Sequence, residues 1–183
     1  MCGTCQYNTN IILCDTRQKV NSHGFKHKFF ENHGIEMCRT KLVVGDYQLP
    51  GGKAAVDTKK DLLEFASNLR QDHERFRREC ELAQKLGIQL YVLVENSENI
   101  HSLSELADWK EPNKTFYMRR SKNLNAVRIS GKQLARAAKT MSEKYNVKFS
   151  LCTPFEAGRR VIEILEGHEQ MRIEGIRNYE SGR

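Results

Sequence analysis

The chain has 183 residues, 39% of them hydrophobic and 29% charged, with three prolines and a net charge of +7. That composition suits one globular domain with its own core and excludes a disordered, collagenous or disulfide-framework protein. No apolar run reaches the roughly 20 residues of a membrane helix, and MCGTCQYNTN has neither the basic start nor the apolar stretch of a signal peptide. A cytoplasmic protein with no membrane partner is therefore expected. The charge is uneven: residues 109–136 hold eight basic side chains against Glu111 alone, which leaves the remainder balanced at 22 against 22. Such a local excess suits a polyanion, or is a solvated basic loop.

Taken in chain order, Asn10–Cys14 reads as a short buried strand ending at Asp15. Lys26–His33 reads as a helix stopped by Gly34, and Ile35–Val44 as a strand ending in Gly45-Asp46-Tyr47. The turn Pro50-Gly51-Gly52 leads into Ala54–Thr58, so Asp46 and Asp57 are expected on neighbouring strands. Asp61–Leu86 predicts one long amphipathic helix with the inward stripe Leu62, Phe65, Leu69, His73, Phe76, Cys80 and Ala83. Leu90–Val94 predicts a central strand covered on both faces, and the strand–helix–strand order implies a parallel crossover. A short helix over Leu103–Lys110 follows, then the basic stretch. Ser130 predicts an N-cap for a helix through Tyr145; Val147–Cys152 is a strand, and Pro154–Leu165 a helix closed by Gly167. The reading is one α/β domain over 10–167, a mixed central sheet flanked by helices, with a flexible N-terminus at 1–9 and a polar tail at 168–183. Cys14, Cys38, Cys80 and Cys152 fall inside predicted elements and read as small buried hydrophobes of a reduced protein.

Three acids fall at strand ends or in the hairpin: Asp15, Asp46 and Asp57. Residues i and i+2 of a strand share a face, so Asp57 and Lys59 can serve one site. Clustered carboxylates repel unless a hard divalent cation, Mg²⁺ or Mn²⁺, neutralises them. A lysine beside such a cation can orient an attacking water. Acid, then Asp-x-Lys on the next strand, is the minimum set for metal-assisted phosphodiester hydrolysis. Alone, the tripeptide also describes a solvated hairpin edge.

The ordered series Cys-Asp15-Thr-Arg17-Gln18, Gly45-Asp46-Tyr47, Val56-Asp57-Thr-Lys59, Arg70-Gln71-Asp72-His73, LYVLVE and KFSLCTPFEAGRRVIEILEG resembles the nuclease domain of the XPF family of structure-specific endonucleases, within the PD-(D/E)XK fold. It looks closest to short stand-alone bacterial and prophage members, and spans roughly Ile11 to Gly167. The resemblance implies a restriction-endonuclease-like fold and a Mg²⁺- or Mn²⁺-dependent DNA endonuclease. It places the metal acids at Asp15, Asp46 and Asp57, the catalytic group at Asp46, Asp57 and Lys59, and a motif arginine at Arg17. Gln18 stands where many members have Glu, which bears on a second metal; Asp57 is one methylene shorter than the usual Glu. The tandem helix-hairpin-helix module of the eukaryotic relatives is not expected, because only residues 168–183 follow Gly167. Relatives pair through this domain, so a homodimer is expected by analogy.

Other residues carry two readings. His73 is either a satisfied core histidine or, with Arg70 and Gln71, part of the cleft. Arg119, Arg120 and Lys122 are the expected DNA contacts within the basic stretch, where Trp109, Phe116 and Tyr117 either stack on bases or pack. Cys2-x-x-Cys5 and His23-x-x-x-His27 have ligand-like spacings, but the predicted strand and Asp15 lie between them, which argues against a zinc finger. No small-molecule cofactor is expected. Two rival functions are a nucleic-acid-binding module with little cleavage, suggested by Gln18, and a nuclease-fold subunit of a DNA repair, recombination or phage assembly.

Overall fold

The apolar runs AAV and LYVLV have no polar face to offer water, and they pair at the middle of the sheet. A computed structural model describes residues 8–18, 24–70, 73–110 and 129–168. Among these, β1 (Ile11–Asp15), β2 (Glu36–Thr40), β3 (Tyr47–Gln48), β4 (Ala54–Lys59), β5 (Gln89–Glu95) and β6 (Lys148–Cys152) stand in the order β2-β1-β3-β4-β5-β6. β1 runs parallel to β2, and β4, β5 and β6 are mutually parallel. β3 is antiparallel to both β1 and β4. The helices are α1 (Gly24–Asn32), α2 (Leu62–Arg70), α3 (His73–Lys85), α4 (Leu103–Leu106), α5 (Gly131–Tyr145) and α6 (Ala157–Leu165). This is the expected α/β domain with a mixed sheet.

Alternation along the strands divides the core in two. Ala55, Leu90, Val92, Val94 and Leu151 face α2, α3 and α5. Val56, Tyr91, Leu93 and Cys152 face α1 and α6. Asp57 and Lys59 share the parity of Ala55, so both point toward the α2–α3 layer. On the opposite face Lys26 of α1 is buried against Glu95 at the end of β5, an ion pair that patterning had not marked.

Four expectations need correction. The stripe expected over Asp61–Leu86 falls on α2 and α3, described on either side of residues 71–72; Leu62, Phe65, Phe76, Cys80 and Ala83 are buried, but His73 is exposed. β2 stops at Thr40, because the Leu42 N–H turns away from any strand ladder to donate to the Asp15 carboxylate at 2.9 Å. Asp46 lies in the turn before β3 rather than on a strand, although its N–H still reaches Val56 O at 2.7 Å. Cys38 is exposed because β2 is the sheet edge; Cys14, Cys80 and Cys152 are buried, and burial pushes their thiols up to about 11, 12 and 12.

Ser130 caps α5 as its sequence predicts, accepting from Gln133 N while Gln133 reciprocates, and Asn146 at φ +54° closes the helix. The next residue, Gly131, is wedged against α4: a Cβ there would lie 2.2 Å from Leu106 O and 2.7 Å from Trp109 O. Both contacts are to backbone, which cannot yield as a side-chain tip can. Gly131→Ala is expected to destabilise the fold by at least about 1–3 kcal/mol, the usual range for overpacking. Gly24→Ala, with nothing within 4 Å, is the comparator and should stay within about 0.5 kcal/mol. Thermal unfolding of both variants checks this; equal melting temperatures would contradict the wedge.

Candidate active site

A cleft of about 380 Å³ opens between the carboxyl ends of β1 and β4 and the outer face of α3. Asp15, Arg17, Gln18, Asp46 and Asp57 line it on the sheet side. Arg75, Arg78, Glu79 and Leu82 line it from the helix. Those four recur at i, i+3, i+4 and i+7, a single helical face beside the buried stripe of Phe76, Cys80 and Ala83. The structure thus brings together the three expected acids and adds Glu79, which sequence reasoning missed. The signal for it was the charged run of Arg75, Arg78 and Glu79 on one helical face, legible only once the neighbouring stripe is known to be core.

Each acid is held differently. Asp15 ends β1 and is saturated: Oδ1 accepts from Arg17 N at 2.6 Å and Nε at 2.8 Å, and Oδ2 from Arg17 Nη2 at 2.8 Å and Leu42 N at 2.9 Å. Burial alone would raise its pKa; the Arg17 guanidinium and the two backbone N–H groups overcome that and hold it below the usual carboxylate value. Asp46 is aimed by β4, with Oδ2 accepting from Thr58 N at 2.8 Å and Thr58 Oγ1 at 2.7 Å. Its Oδ1 makes no hydrogen bond among the described residues. Asp57 is buried, and Lys59 Nζ stands 2.5 Å from its Oδ2, although that oxygen makes no well-angled hydrogen bond. Burial pushes the Asp57 carboxyl up, Lys59 pulls it part of the way back, and the charges of Asp46 and Glu79 push it further.

Lys59 lies behind Asp57 rather than in the cleft wall, with Nζ 5.9 Å from the centre of the Phe76 ring. Burial works against its charge; Asp57, with Asp46 and Glu64, more than offsets this and raises the ammonium's pKa. His73 is outside the cleft. It borders a second hollow of about 290 Å³ with Leu69, Gln133 and Arg136 between α2 and α5. It is exposed, against its expected place on the inward stripe. Tyr47 packs edge-on to Phe30 at 5.7 Å, with its hydroxyl 3.3 Å from His27 Nε2, and burial raises its pKa. Trp109 is buried in the core. Gln71, Arg119, Arg120, Lys122, Phe116, Tyr117, Cys2, Cys5 and His23 lie outside the described residues, as does the side chain of Arg70.

The Arg17 clamp makes a testable statement about acid stability. A carboxyl whose folded pKa is depressed adds stability that is present above its unfolded pKa and is lost as pH falls through the folded value. Arg17→Ala should therefore flatten the fall in melting temperature below the ordinary aspartate pKa of about 3.9. Melting curves between pH 2 and 6 test it; parallel curves for the variant and the parent would mean that the clamp contributes nothing.

A divalent cation fits this donor set in part. Among the described residues no three His, Cys, Asp or Glu side chains are arranged to enclose an ion. Mg²⁺ does not need three: it keeps several waters and takes one or two carboxylates plus substrate phosphates. The unbonded Asp46 Oδ1 and the poorly satisfied Asp57 Oδ2 meet that demand. Asp15 can join only by giving up part of its Arg17 clamp.

A mixed sheet flanked by helices, with Asp15 at the end of β1, Asp46 in the turn before β3 and Asp57 on β4 gathered over one cleft, defines a protein of the restriction-endonuclease-like α/β class. The chain belongs to the ERCC4 domain family, a family of nucleases, whose model matches residues 14–165. Among solved structures it is similar to XPF from Aeropyrum pernix, at 16% identity and a TM-score of 0.57, over 92% of this chain and 69% of that one. It is similar also to XPF from Aeropyrum pernix in complex with DNA, at 15% identity and a TM-score of 0.57, over 89% of this chain and 66% of that one. The chain therefore spans about two thirds of those relatives' length, and at this identity the likeness is one of fold. No curated protein sequence matches it.

Proposed function

We propose that the protein is a metal-dependent DNA endonuclease that hydrolyses phosphodiester bonds. The observation that carries this reading is the convergence of Asp46 and Asp57 on one cleft, with Lys59 paired behind Asp57. Asp46 and Asp57 would hold a Mg²⁺ or Mn²⁺ ion, with Asp15 as a third ligand once Arg17 releases it. Such an ion, when bound, polarises the scissile phosphate and lowers the pKa of its water. Lys59 draws the buried Asp57 toward its ionised form and would supply, from behind it, a positive charge that helps to orient the nucleophilic water. Arg75 and Arg78 on the facing wall are placed to meet phosphate oxygens. Arg119, Arg120 and Lys122, in the basic stretch, are proposed as further DNA contacts. Arg70, Gln71 and Gln18 are proposed as supports of the site.

Structure selectivity and pairing of two copies enter by analogy with the family. No helix among the described residues is long and apolar enough to cross a membrane, and a cytoplasmic location rests on composition. A second reading, a DNA-binding module with weak cleavage, is favoured by two observations: neutral Gln18 in the cleft and the saturated Asp15. A panel of labelled single-stranded, duplex, flap and fork DNA, incubated with Mg²⁺ and with Mn²⁺, separates the two. Metal-dependent cleavage of any substrate supports the nuclease; binding without cleavage across the panel supports the module.

A further inference from the structure

Asp46 is aimed by the turn that precedes it. Gly45 adopts φ +71°, and a Cβ on it would lie 3.1 Å from Val56 O, so the turn requires glycine. The contacts of Asp46 itself all run to the sheet: its N–H donates to Val56 O, its carbonyl accepts from Asp15 N at 2.9 Å, and its Oδ2 accepts from Thr58. They fix the turn to the sheet but not to the helix layer across the cleft. That second tie comes from Glu79: its Oε1 accepts from Gly45 N at 2.9 Å. The side chain spans 34 positions of sequence to reach one N–H of the one turn that carries a metal-site acid. Its other oxygen makes no hydrogen bond among the described residues and borders the cleft.

We propose that Glu79 is a positioning residue of the nuclease site: by accepting from Gly45 it holds the turn so that Asp46 Oδ1 stays directed into the cleft. This rests on the nuclease reading above for its catalytic consequence, but the tie itself does not. The function belongs to the acceptor oxygen, since a neutral acceptor at the same place makes the same bond to an N–H. The formal charge of Glu79 serves no purpose in aiming the turn; it adds to the crowding of negative charge around Asp57. The arrangement also links α3, which carries Arg75 and Arg78, to the turn that carries Asp46.

The test uses the full chain and the variants Glu79→Gln and Glu79→Ala, with Glu79→Met repeating the removal if the alanine variant melts markedly lower. Amide hydrogen exchange at Gly45 is read without metal or DNA, Mn²⁺ affinity by calorimetry, and single-turnover cleavage at saturating DNA with binding measured in Ca²⁺. Removal of the acceptor is expected to speed Gly45 exchange about tenfold. It should slow cleavage about 10–100-fold, the range for a misplaced catalytic group, while DNA affinity holds. Glu79→Gln should restore both readouts to within about threefold of the parent. Unchanged Gly45 exchange in Glu79→Ala or Glu79→Met would overturn the proposal. So would equal loss of cleavage in Glu79→Gln and Glu79→Ala, because the charge and not the acceptor would then be at work. If the parent cleaves no DNA, the nuclease reading fails, and Gly45 exchange with Mn²⁺ affinity still decides the positioning role.

Discussion

Lys59→Ala is expected to slow single-turnover cleavage by about 10²–10³, the cost of removing a preorganised electrostatic group from a water-poor site. The effect should fall on the chemical step, because Lys59 Nζ lies 2.5 Å from Asp57 Oδ2 and is nearly buried. DNA affinity measured in Ca²⁺ should change little, since one charge among several phosphate contacts is a small share of binding. Mn²⁺ affinity should hold or rise, as a positive charge leaves the neighbourhood of a cation. Removing one member of a buried ion pair also destabilises, by about 3–5 kcal/mol, so cleavage must be compared well below the melting temperature. Lys60→Ala is the control: Lys60 is exposed, and its one recorded contact, from its backbone N–H to Glu64 Oε2, survives truncation. Equal loss in both variants would point to general electrostatics. Full activity without Lys59 would defeat its assignment.

Asp57→Asn should abolish detectable cleavage and weaken Mn²⁺ binding by at least about tenfold, a floor set by what loss of even an outer ligand costs a metal site. Asp46→Asn should weaken Mn²⁺ binding in the same sense, since its free Oδ1 is the other donor. The two differ in their effect on the metal-free protein. Burial raises the folded pKa of Asp57 above its unfolded value. A group shifted in that direction contributes stability that is fully present below the unfolded pKa and is lost as pH rises through the folded pKa. The metal-free parent should thus gain stability from Asp57 as pH falls from neutral toward the ordinary carboxylate range, and Asp57→Asn should lack that gain. Metal competes with the same proton, so Mn²⁺ affinity in the parent should climb with pH across this window. The double variant Asp57→Asn/Lys59→Met removes both buried charges and keeps the fold as a reference. Calorimetric titration with Mn²⁺ and melting curves from pH 5 to 8 decide it. Unchanged Mn²⁺ affinity in both single variants would remove the proposed site.

Much of this was legible from the chain. The strand end at Asp15, the strand that carries Asp57, the shared face of Asp57 and Lys59, the Ser130 cap and the Gly34 and Gly167 stops are local facts. They follow from period-2 and period-3.6 patterning and from backbone chemistry that acts over a few residues. The order of motifs was enough to place the chain in its family before any fold was seen. The same locality explains the errors: the 3.6-residue stripe put His73 in the core, although it is exposed, because patterning cannot tell where along a helix its tertiary neighbours stop covering it.

What only the tertiary structure decided is who meets whom across the sequence. The saturation of Asp15 by Arg17 and by Leu42, 27 positions away, determines which acids are free for a cation. The tie from Glu79 to Gly45 brings a residue of α3 to a site whose acids and lysine the motifs assign to strands and turns. The pairing of Lys26 with Glu95 puts two charges in the opposite core, where composition predicts none. Each of these is a long-range choice of partner, forced because a buried donor or acceptor left unpaired costs more than any local preference can return.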